Sequence, residues 1–125
     1  VLKTLVQENA QSIGGVIHYY QGDLYTAHTY INMGFSISMA KPLLRINELQ
    51  NVAKMIPLES IVLETDSAPQ PWKKHRHRWT EPFHLIQVAE KLAELKDMSV
   101  ETIIEKTTQN ILKITRLDQT TLVRY

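Results

Sequence analysis

Short apolar runs alternate along the chain with segments whose apolar residues recur at helical spacing. Runs rich in β-branched and aromatic residues predict three strands, over residues 16–20, 35–39 and 60–66. Helical stripes predict a helix after each of the first two strands and two more helices after residue 80. Because strands that alternate with helices are typical of parallel βαβ units, the pattern predicts an α/β protein.

Residue types at the ends of the predicted helices support these boundaries. Asp23 and Ser99 stand where a helix N-cap is expected, and Gly34 stands where a C-cap is expected. Pro57 stops the second helix, and residues 80–82, which read Thr-Glu-Pro, are typical of a helix start. The segment between the last strand and this helix start reads as a long loop, and such loops in compact domains are usually functional.

Ionisable residues stand at the ends of two predicted strands, where parallel sheets gather their functional groups. His18 lies late in the first strand, and Glu64 and Asp66 lie at the end of the third, turned to the same face by strand alternation. An imidazole and carboxylates that converge in this way can bind a divalent metal or act as acid and base. The residues alone also allow His18 to be a core histidine and Asp66 to cap its own turn.

Composition narrows the class of protein. The chain has 125 residues, 43% hydrophobic and 22% charged, which excludes collagen-like and strongly disordered proteins. No apolar run approaches the roughly 20 residues of a membrane-spanning helix, and no signal-peptide pattern opens the chain. The chain has 0 Cys, so disulfides and thiolate zinc sites are excluded. We therefore expect a cytoplasmic protein, with the nucleus as the alternative, and no membrane partner.

Several segments, in order along the chain, resemble the TatD family of metal-dependent deoxyribonucleases. Residues 15–22 read G-V-I-H-Y-Y-Q-G and resemble the family's G-V-x-H-x-F-S-G stretch, and residues 63–69 read L-E-T-D-S-A-P and resemble its E-T-D-x-P strand end. Residues 80–82 fall where the family has Asn-Glu-Pro, and residues 88–93 and 107–110 are similar to its two closing helices. The resemblance extends to Thr115 and so covers nearly the whole chain.

This resemblance implies a fold, a metal and a reaction. The fold would be the C-terminal half of a TIM-like (β/α) barrel, so that residues 1–125 form a partial barrel of about three βα units plus two closing helices. The metal would be a divalent cation (Mg, Mn or Zn), and the reaction would be hydrolysis of DNA phosphodiesters by a metal-activated water. By position in the motifs, His18 and Asp66 match family metal ligands, and Asp66 would be the catalytic residue. Glu64 would contact a metal ligand and not the metal itself.

The chain departs from the family pattern in ways that predict an incomplete enzyme. Tyr20 and Gln21 replace Phe and Ser, and Thr80 replaces Asn. The family's opening His-x-His pair, its bridging Glu and its further His have no counterpart here, and His75-Arg76-His77 is rejected as that pair because it lies in a basic loop. The first residue is Val1, so we expect a chain cut from something longer, with weak activity or none.

Two other functions stay open at this point. A non-catalytic relative could act as an interaction module that self-associates through open sheet edges. A related metal-dependent hydrolase could cleave an ester that is not a nucleic acid.

One basic segment stands out from a chain whose formal net charge is +1. Lys73, Lys74, Arg76 and Arg78 lie within six residues that contain no acid. The segment is either a solvated loop or a contact for DNA phosphates, with Trp72 or Trp79 stacked on a base. The resemblance to the TatD family makes DNA the expected partner, and this segment is the candidate contact.

Overall fold

The computed structural model describes residues 1–68 and 79–117. Three strands, β1 (Gly15–Ile17), β2 (Phe35–Met39) and β3 (Ile61–Leu63), form one parallel sheet in the order β1-β2-β3. Within these two ranges, five α-helices accompany them: α1 (Leu2–Gln7), α2 (Leu24–Asn32), α3 (Asn47–Met55), α4 (His84–Lys96) and α5 (Val100–Thr115). Short 3₁₀ helices lie at Ala10–Ser12, Lys41–Leu44 and Leu58–Ser60. The prediction of parallel strands alternating with helices is confirmed.

The hydrophobic core lies on both sides of β2, the central strand, whose residues are almost all buried. Large side chains from every layer meet there and are excluded from solvent: Ile37, Met39, Leu43, Leu49, Ile56, Ile61, Leu92 and Ile103. Burial of a side chain of this size contributes roughly 1.5–3 kcal/mol relative to its exposure. The core therefore holds the three strand ends, and the residues that follow them, in fixed relative positions.

Two helices begin at the predicted caps. The Asp23 carboxylate accepts a hydrogen bond from the Thr26 N–H at 2.7 Å, and the bonds from Thr26 lower the pKa of Asp23. Ser99 accepts a bond from the Thr102 N–H at 3.1 Å. After α2, Gly34 takes a φ of +82°, which an L residue adopts only with strain, and this explains the glycine there.

Other predicted boundaries were wrong. The first strand ends at Ile17 rather than at residue 20, because Tyr19 has a left-handed φ of 49°. The third strand covers Ile61–Leu63 rather than 60–66, and Asp66 has a φ of 52°. α4 begins at His84 rather than at 80–82, because the Glu81 N–H donates to His84 Nδ1 at 2.8 Å and the segment forms a turn. α1 has no counterpart among the predicted elements.

Side chains from the last two helices bind backbone carbonyls near the sheet. Asn110 Nδ2, on α5, donates to the carbonyls of Leu58 at 2.8 Å and Ile61 at 2.7 Å, just before and in β3. Lys96 Nζ, on α4, donates to the Lys54 carbonyl at 3.0 Å and to the Ile56 carbonyl, at the end of α3, and its burial lowers the pKa of Lys96. The Asn110 bonds therefore fasten α5 to β3, and the Lys96 bonds fasten α4 to the end of α3. No helix in the described ranges is long and apolar enough to cross a membrane.

Candidate metal centre

His18 follows β1 directly and presents its ring to solvent. Its side chain is 64% exposed, so the alternative of a core histidine is wrong. The next residue, Tyr19, turns the chain with its left-handed backbone and lies half-buried beside the His18 ring, with 5.9 Å between ring centroids. Tyr20 is buried instead and donates from its hydroxyl to the Asp23 carbonyl at 2.5 Å. Gly22 is needed here, because a Cβ at this position would lie 2.6 Å from that hydroxyl.

Glu64 reaches back across the sheet from the end of β3 to the end of β1. Its own N–H continues the ladder by donating to the Met39 carbonyl at 3.0 Å. One carboxylate oxygen, Oε1, accepts the Tyr19 N–H at 2.7 Å, and the other, Oε2, lies 2.8 Å from His18 Nδ1. Because the carboxylate accepts from both groups, it fixes the turn after β1 and the plane of the imidazole together.

Asp66 approaches the other side of the same ring. Its Oδ1 lies 3.6 Å from His18 Nε2, and its side chain is 58% exposed. In the turn around Asp66, the Ser67 N–H donates to Thr65 Oγ1 at 3.3 Å. The two nitrogens of His18 therefore face two different carboxylates, Glu64 through Nδ1 and Asp66 through Nε2.

The chemistry of these donors fits part of a divalent-metal site. A carboxylate on Nδ1 favours the tautomer that carries its proton there, which leaves the Nε2 lone pair free to bind a metal. The 3.6 Å between His18 Nε2 and Asp66 Oδ1 exceeds a hydrogen bond and suits two donors that each bind one cation at about 2.0–2.2 Å. Across the described ranges, no group of three or more His, Cys, Asp or Glu side chains could hold a metal ion. Among the described residues, His18 Nε2 and Asp66 Oδ1 are therefore a pair of donors that could contribute to such a site, with the Glu64 carboxylate at the other ring nitrogen.

The prediction that His18, Glu64 and Asp66 lie close together agrees with the structure. The hydrogen bond from the Tyr19 N–H to Glu64 was not predicted. No residue pattern identifies that group, because its role depends on a backbone conformation and not on a side chain. The predicted DNA contacts Trp72, Lys73, Lys74, Arg76 and Arg78 lie outside the described residues. Trp79 is described and is half-buried.

Comparison with known proteins agrees with the resemblance seen in the motifs. The family model for the TatD-related DNases matches residues 1–116. The uncharacterized metal-dependent hydrolase YabD of Bacillus subtilis is 32% identical over 123 residues, which cover 94% of this chain and 47% of YabD. Human deoxyribonuclease TATDN3 is 35% identical over 114 residues, which cover 90% of this chain and 40% of the human protein.

Solved structures show the same fold. The TatD homolog YJJV of Escherichia coli superposes with a TM-score of 0.77 at 23% identity, over 90% of this chain and 44% of YJJV. A TatD family hydrolase of Entamoeba histolytica gives a TM-score of 0.76 at 20% identity, over 90% of this chain and 45% of the hydrolase. These are TIM barrels, so the predicted fold class is confirmed. With its motifs, strand order and nearly full-length family match in agreement, the chain belongs to the TatD-related DNase family and spans just under half the length of the relatives it matches.

Proposed function

We propose that this chain supplies part of the metal centre of a hydrolase that cleaves DNA phosphodiesters. The observation that carries the proposal is the arrangement of His18 between two carboxylates, Glu64 at 2.8 Å and Asp66 at 3.6 Å. The names of its relatives support the reaction class, since YabD is called a metal-dependent hydrolase and TATDN3 a deoxyribonuclease. A divalent cation, when bound, would supply Lewis acidity and an activated water.

Each of the three residues has a distinct part in this proposal. His18 Nε2 and Asp66 Oδ1 are metal ligands. Glu64 contacts no metal and holds the imidazole and the Tyr19 turn in place. Asp66 is the catalytic residue in this proposal, because it stands at the Asp of the E-T-D strand end that the chain shares with the family, and its carboxylate is exposed enough to be reached by a phosphodiester.

The basic segment is proposed as the contact for the substrate backbone. Lys73, Lys74, Arg76 and Arg78 would bind DNA phosphates, with Trp72 stacked on a base. Binding would then weaken steeply as salt rises, because each phosphate contact releases counterions. A flat salt response, or unchanged affinity after these four cations are changed to Ala, would contradict this part of the proposal. A cytoplasmic or nuclear location is part of the same proposal.

Two protein ligands rarely hold a catalytic metal firmly, since catalytic zinc sites generally use three. We therefore expect the 125-residue chain to bind Mn²⁺, Mg²⁺ or Zn²⁺ weakly and to retain at most residual nuclease activity. Robust Mn²⁺-dependent DNA cleavage by this chain, abolished in Asp66→Ala, would show that expectation to be wrong.

The ligand assignment is tested by titrating Mn²⁺ into the chain and into Asp66→Asn. Asn tolerates the left-handed backbone at this position, so the fold should persist while Mn²⁺ affinity falls by at least about tenfold. Asp97→Asn is the matched control, since Asp97 has the same left-handed conformation, with a φ of 53°, at the end of α4. Equal Mn²⁺ affinities of the two variants would reject Asp66 as a ligand.

To test the substrate class, the residual hydrolytic activity of the chain is assayed in parallel on labelled DNA, on a small phosphodiester and on a carboxylic ester. Cleavage of DNA and the small phosphodiester is expected, and the rate should fall in Asp66→Asn. Hydrolysis of the carboxylic ester alone would favour the alternative of a hydrolase that acts on an ester other than nucleic acid.

A further inference from the structure

The contact between Glu64 and His18 crosses the central strand of the sheet. Glu64 follows β3 and His18 follows β1, and β2 lies between those two strands. Neighbouring strands lie about 4.7–4.9 Å apart, so β1 and β3 are roughly 10 Å apart. Because the Glu64 carboxylate lies 2.8 Å from His18 Nδ1 and 2.7 Å from the Tyr19 nitrogen, it reaches the end of β1 by passing over the end of β2. The residues of β2 beneath this path must leave room for it.

The register of the sheet identifies those residues. β1 and β2 pair as far as the residue before His18, so His18 lies beside Ser38. β2 and β3 pair as far as the residue before Glu64, whose N–H continues the ladder, so Glu64 lies beside Ala40. Side chains alternate between the two faces along a strand, and residues beside each other in a sheet share a face. The carboxylate therefore crosses β2 above Ser38 and Ala40.

Both of these residues are small and buried. Ser38 is 1% exposed and Ala40 is 2% exposed. The central strand of a parallel sheet usually reads as a near-continuous run of large apolar residues, and the neighbours on the other face, Ile37 and Met39, agree with that rule. The face beneath the carboxylate is therefore the one on which β2 departs from the usual composition.

A hydrogen bond of its own hydroxyl does not explain the serine at position 38. In the part of the chain that the structure describes, Ser38 Oγ has no hydrogen-bond partner, whereas the Ser38 carbonyl accepts the Tyr20 N–H at 3.1 Å. A buried polar group without a partner costs about 1–3 kcal/mol, so the hydroxyl does not stabilise the fold. The property of Ser38 that the path above it requires is its small size.

We propose that Ser38 is a positioning residue of the candidate metal centre, and that its small side chain keeps open the path by which the Glu64 carboxylate reaches His18. A larger side chain at position 38 would displace the carboxylate and leave both His18 Nδ1 and the Tyr19 N–H without it. The consequence for metal affinity rests on the proposed function, whereas the consequence for the His18 ring holds for the chain without metal.

The first experiment compares Ser38→Val with Ser38→Ala in the metal-free chain. Valine adds volume and suits a strand, so the fold should persist while the Nδ1-protonated tautomer of His18 changes from the major to a minor form in nitrogen NMR. The Tyr19 amide proton should shift upfield, because it loses a charged acceptor. Alanine removes the hydroxyl and adds no volume, so Ser38→Ala should keep both signals.

Ser36→Val is the matched control. Ser36 is half-buried on the same strand and the same face, two residues before Ser38 and away from the path of Glu64. The same substitution there should leave the His18 tautomer and the Tyr19 amide shift unchanged. Circular dichroism shows whether each valine variant is folded. Ser38→Thr adds a single methyl group, and it replaces Ser38→Val in the comparison if the valine variant does not fold.

A double-mutant cycle connects Ser38 to metal affinity. Ser38→Val should lower Mn²⁺ affinity by at least about tenfold in the unmodified chain, which is the usual effect of losing the group that orients a histidine ligand. In the Glu64→Gln background it should lower the affinity by less than about twofold, because the orienting carboxylate is already absent. A general disturbance of the fold by valine would lower the affinity equally in both backgrounds.

Three results would overturn the proposal. The first is an unchanged His18 tautomer in folded Ser38→Val, and the second is the same change of tautomer in Ser36→Val. The third is loss of the tautomer in Ser38→Ala, which would assign the role to the hydroxyl and not to size. A changed tautomer with unchanged Mn²⁺ affinity would support the role of Ser38 beneath Glu64 and would count against the proposed metal centre, so the two failures are distinguishable.

Discussion

Glu64 binds His18 from two strands away, with 2.8 Å between its Oε2 and the Nδ1 of the imidazole. The same carboxylate accepts the Tyr19 N–H through Oε1 at 2.7 Å. This double contact joins the ends of β1 and β3 across β2, so the position of the candidate ligand depends on a residue that is 46 positions distant in sequence.

Glu64→Gln should disturb the candidate site without unfolding the chain. His18 Nδ1 and the Tyr19 N–H contact different oxygens of Glu64, and in a glutamine one of these two positions is an NH₂ group, which donates and cannot accept. We expect Mn²⁺ affinity to fall by about 10–100-fold, the usual effect of losing the group that orients a histidine ligand. Nitrogen NMR of the His18 ring should show a loss of the Nδ1-protonated tautomer in the same variant.

Glu90→Gln serves as the control for Glu64→Gln, because Glu90 is an exposed carboxylate on α4. If the two variants have the same Mn²⁺ affinity and the same His18 tautomer, Glu64 does not position the ring.

Asn110→Ala should destabilise the chain by about 2 kcal/mol. It removes the donor to the carbonyls of Leu58 and Ile61, and a half-buried carbonyl that loses its partner costs about 1–3 kcal/mol. Urea denaturation measures the loss. Gln109→Ala is the neighbouring control: its bond to Glu105 is exposed, so its change should stay within about 0.5 kcal/mol. Equal losses in both variants would contradict the role given to Asn110.

Tyr20 should make the chain sensitive to alkali. Burial, with smaller effects from Asp23 and Tyr30, raises the pKa of Tyr20 to about 12. Because the folded value lies above the unfolded value, the stabilisation is complete below about pH 10 and is lost as the pH rises from about 10 to about 12. The loss is on the order of 2 kcal/mol in the free energy of unfolding.

Urea denaturation on both sides of about pH 10 tests this expectation. Tyr20→Phe should remove most of the alkaline loss, whereas Tyr25→Phe, at a position 82% exposed, should keep it. An alkaline loss of the same size in the unmodified chain and in Tyr20→Phe would assign it to another group.

The local pattern was sufficient where one residue type decides the structure. The predicted bounds of β2, 35–39, agree with the structure. α2 and α5 begin beside Asp23 and Ser99, as predicted, because a carboxylate or hydroxyl at an N-cap binds the backbone of the first turn of its own helix. α1 has a single hydrophobic face of about two turns, with Leu2 and Leu5 only partly buried, and no side chain caps it. Such a helix depends on what it packs against, so its pattern carries little signal.

The ends of β1 and β3 could not be predicted from alternation, since contacts between distant segments decide them. After β1, the Tyr19 N–H donates to the Glu64 carboxylate and not to a neighbouring strand. After β3, Asp66 takes a left-handed conformation and its carboxylate faces His18. The meeting of His18 and Asp66 was predictable, because parallel strands bring their carboxyl ends to one edge. Which carboxylate lies at Nδ1 of His18 and which lies at Nε2 could be determined only from the structure.

The left-handed backbone at Asp66 also restricts which replacements evolution or a mutational screen can accept there. A φ of 52° admits Gly, Asn and Asp readily and penalises other residues by roughly 1–2 kcal/mol. A metal ligand that supplies an anionic oxygen admits Asp and Glu. Aspartate alone satisfies both conditions without this cost, so a library saturated at this codon should be enriched in aspartate under selection for metal binding and in Gly, Asn and Asp together under selection for folding alone.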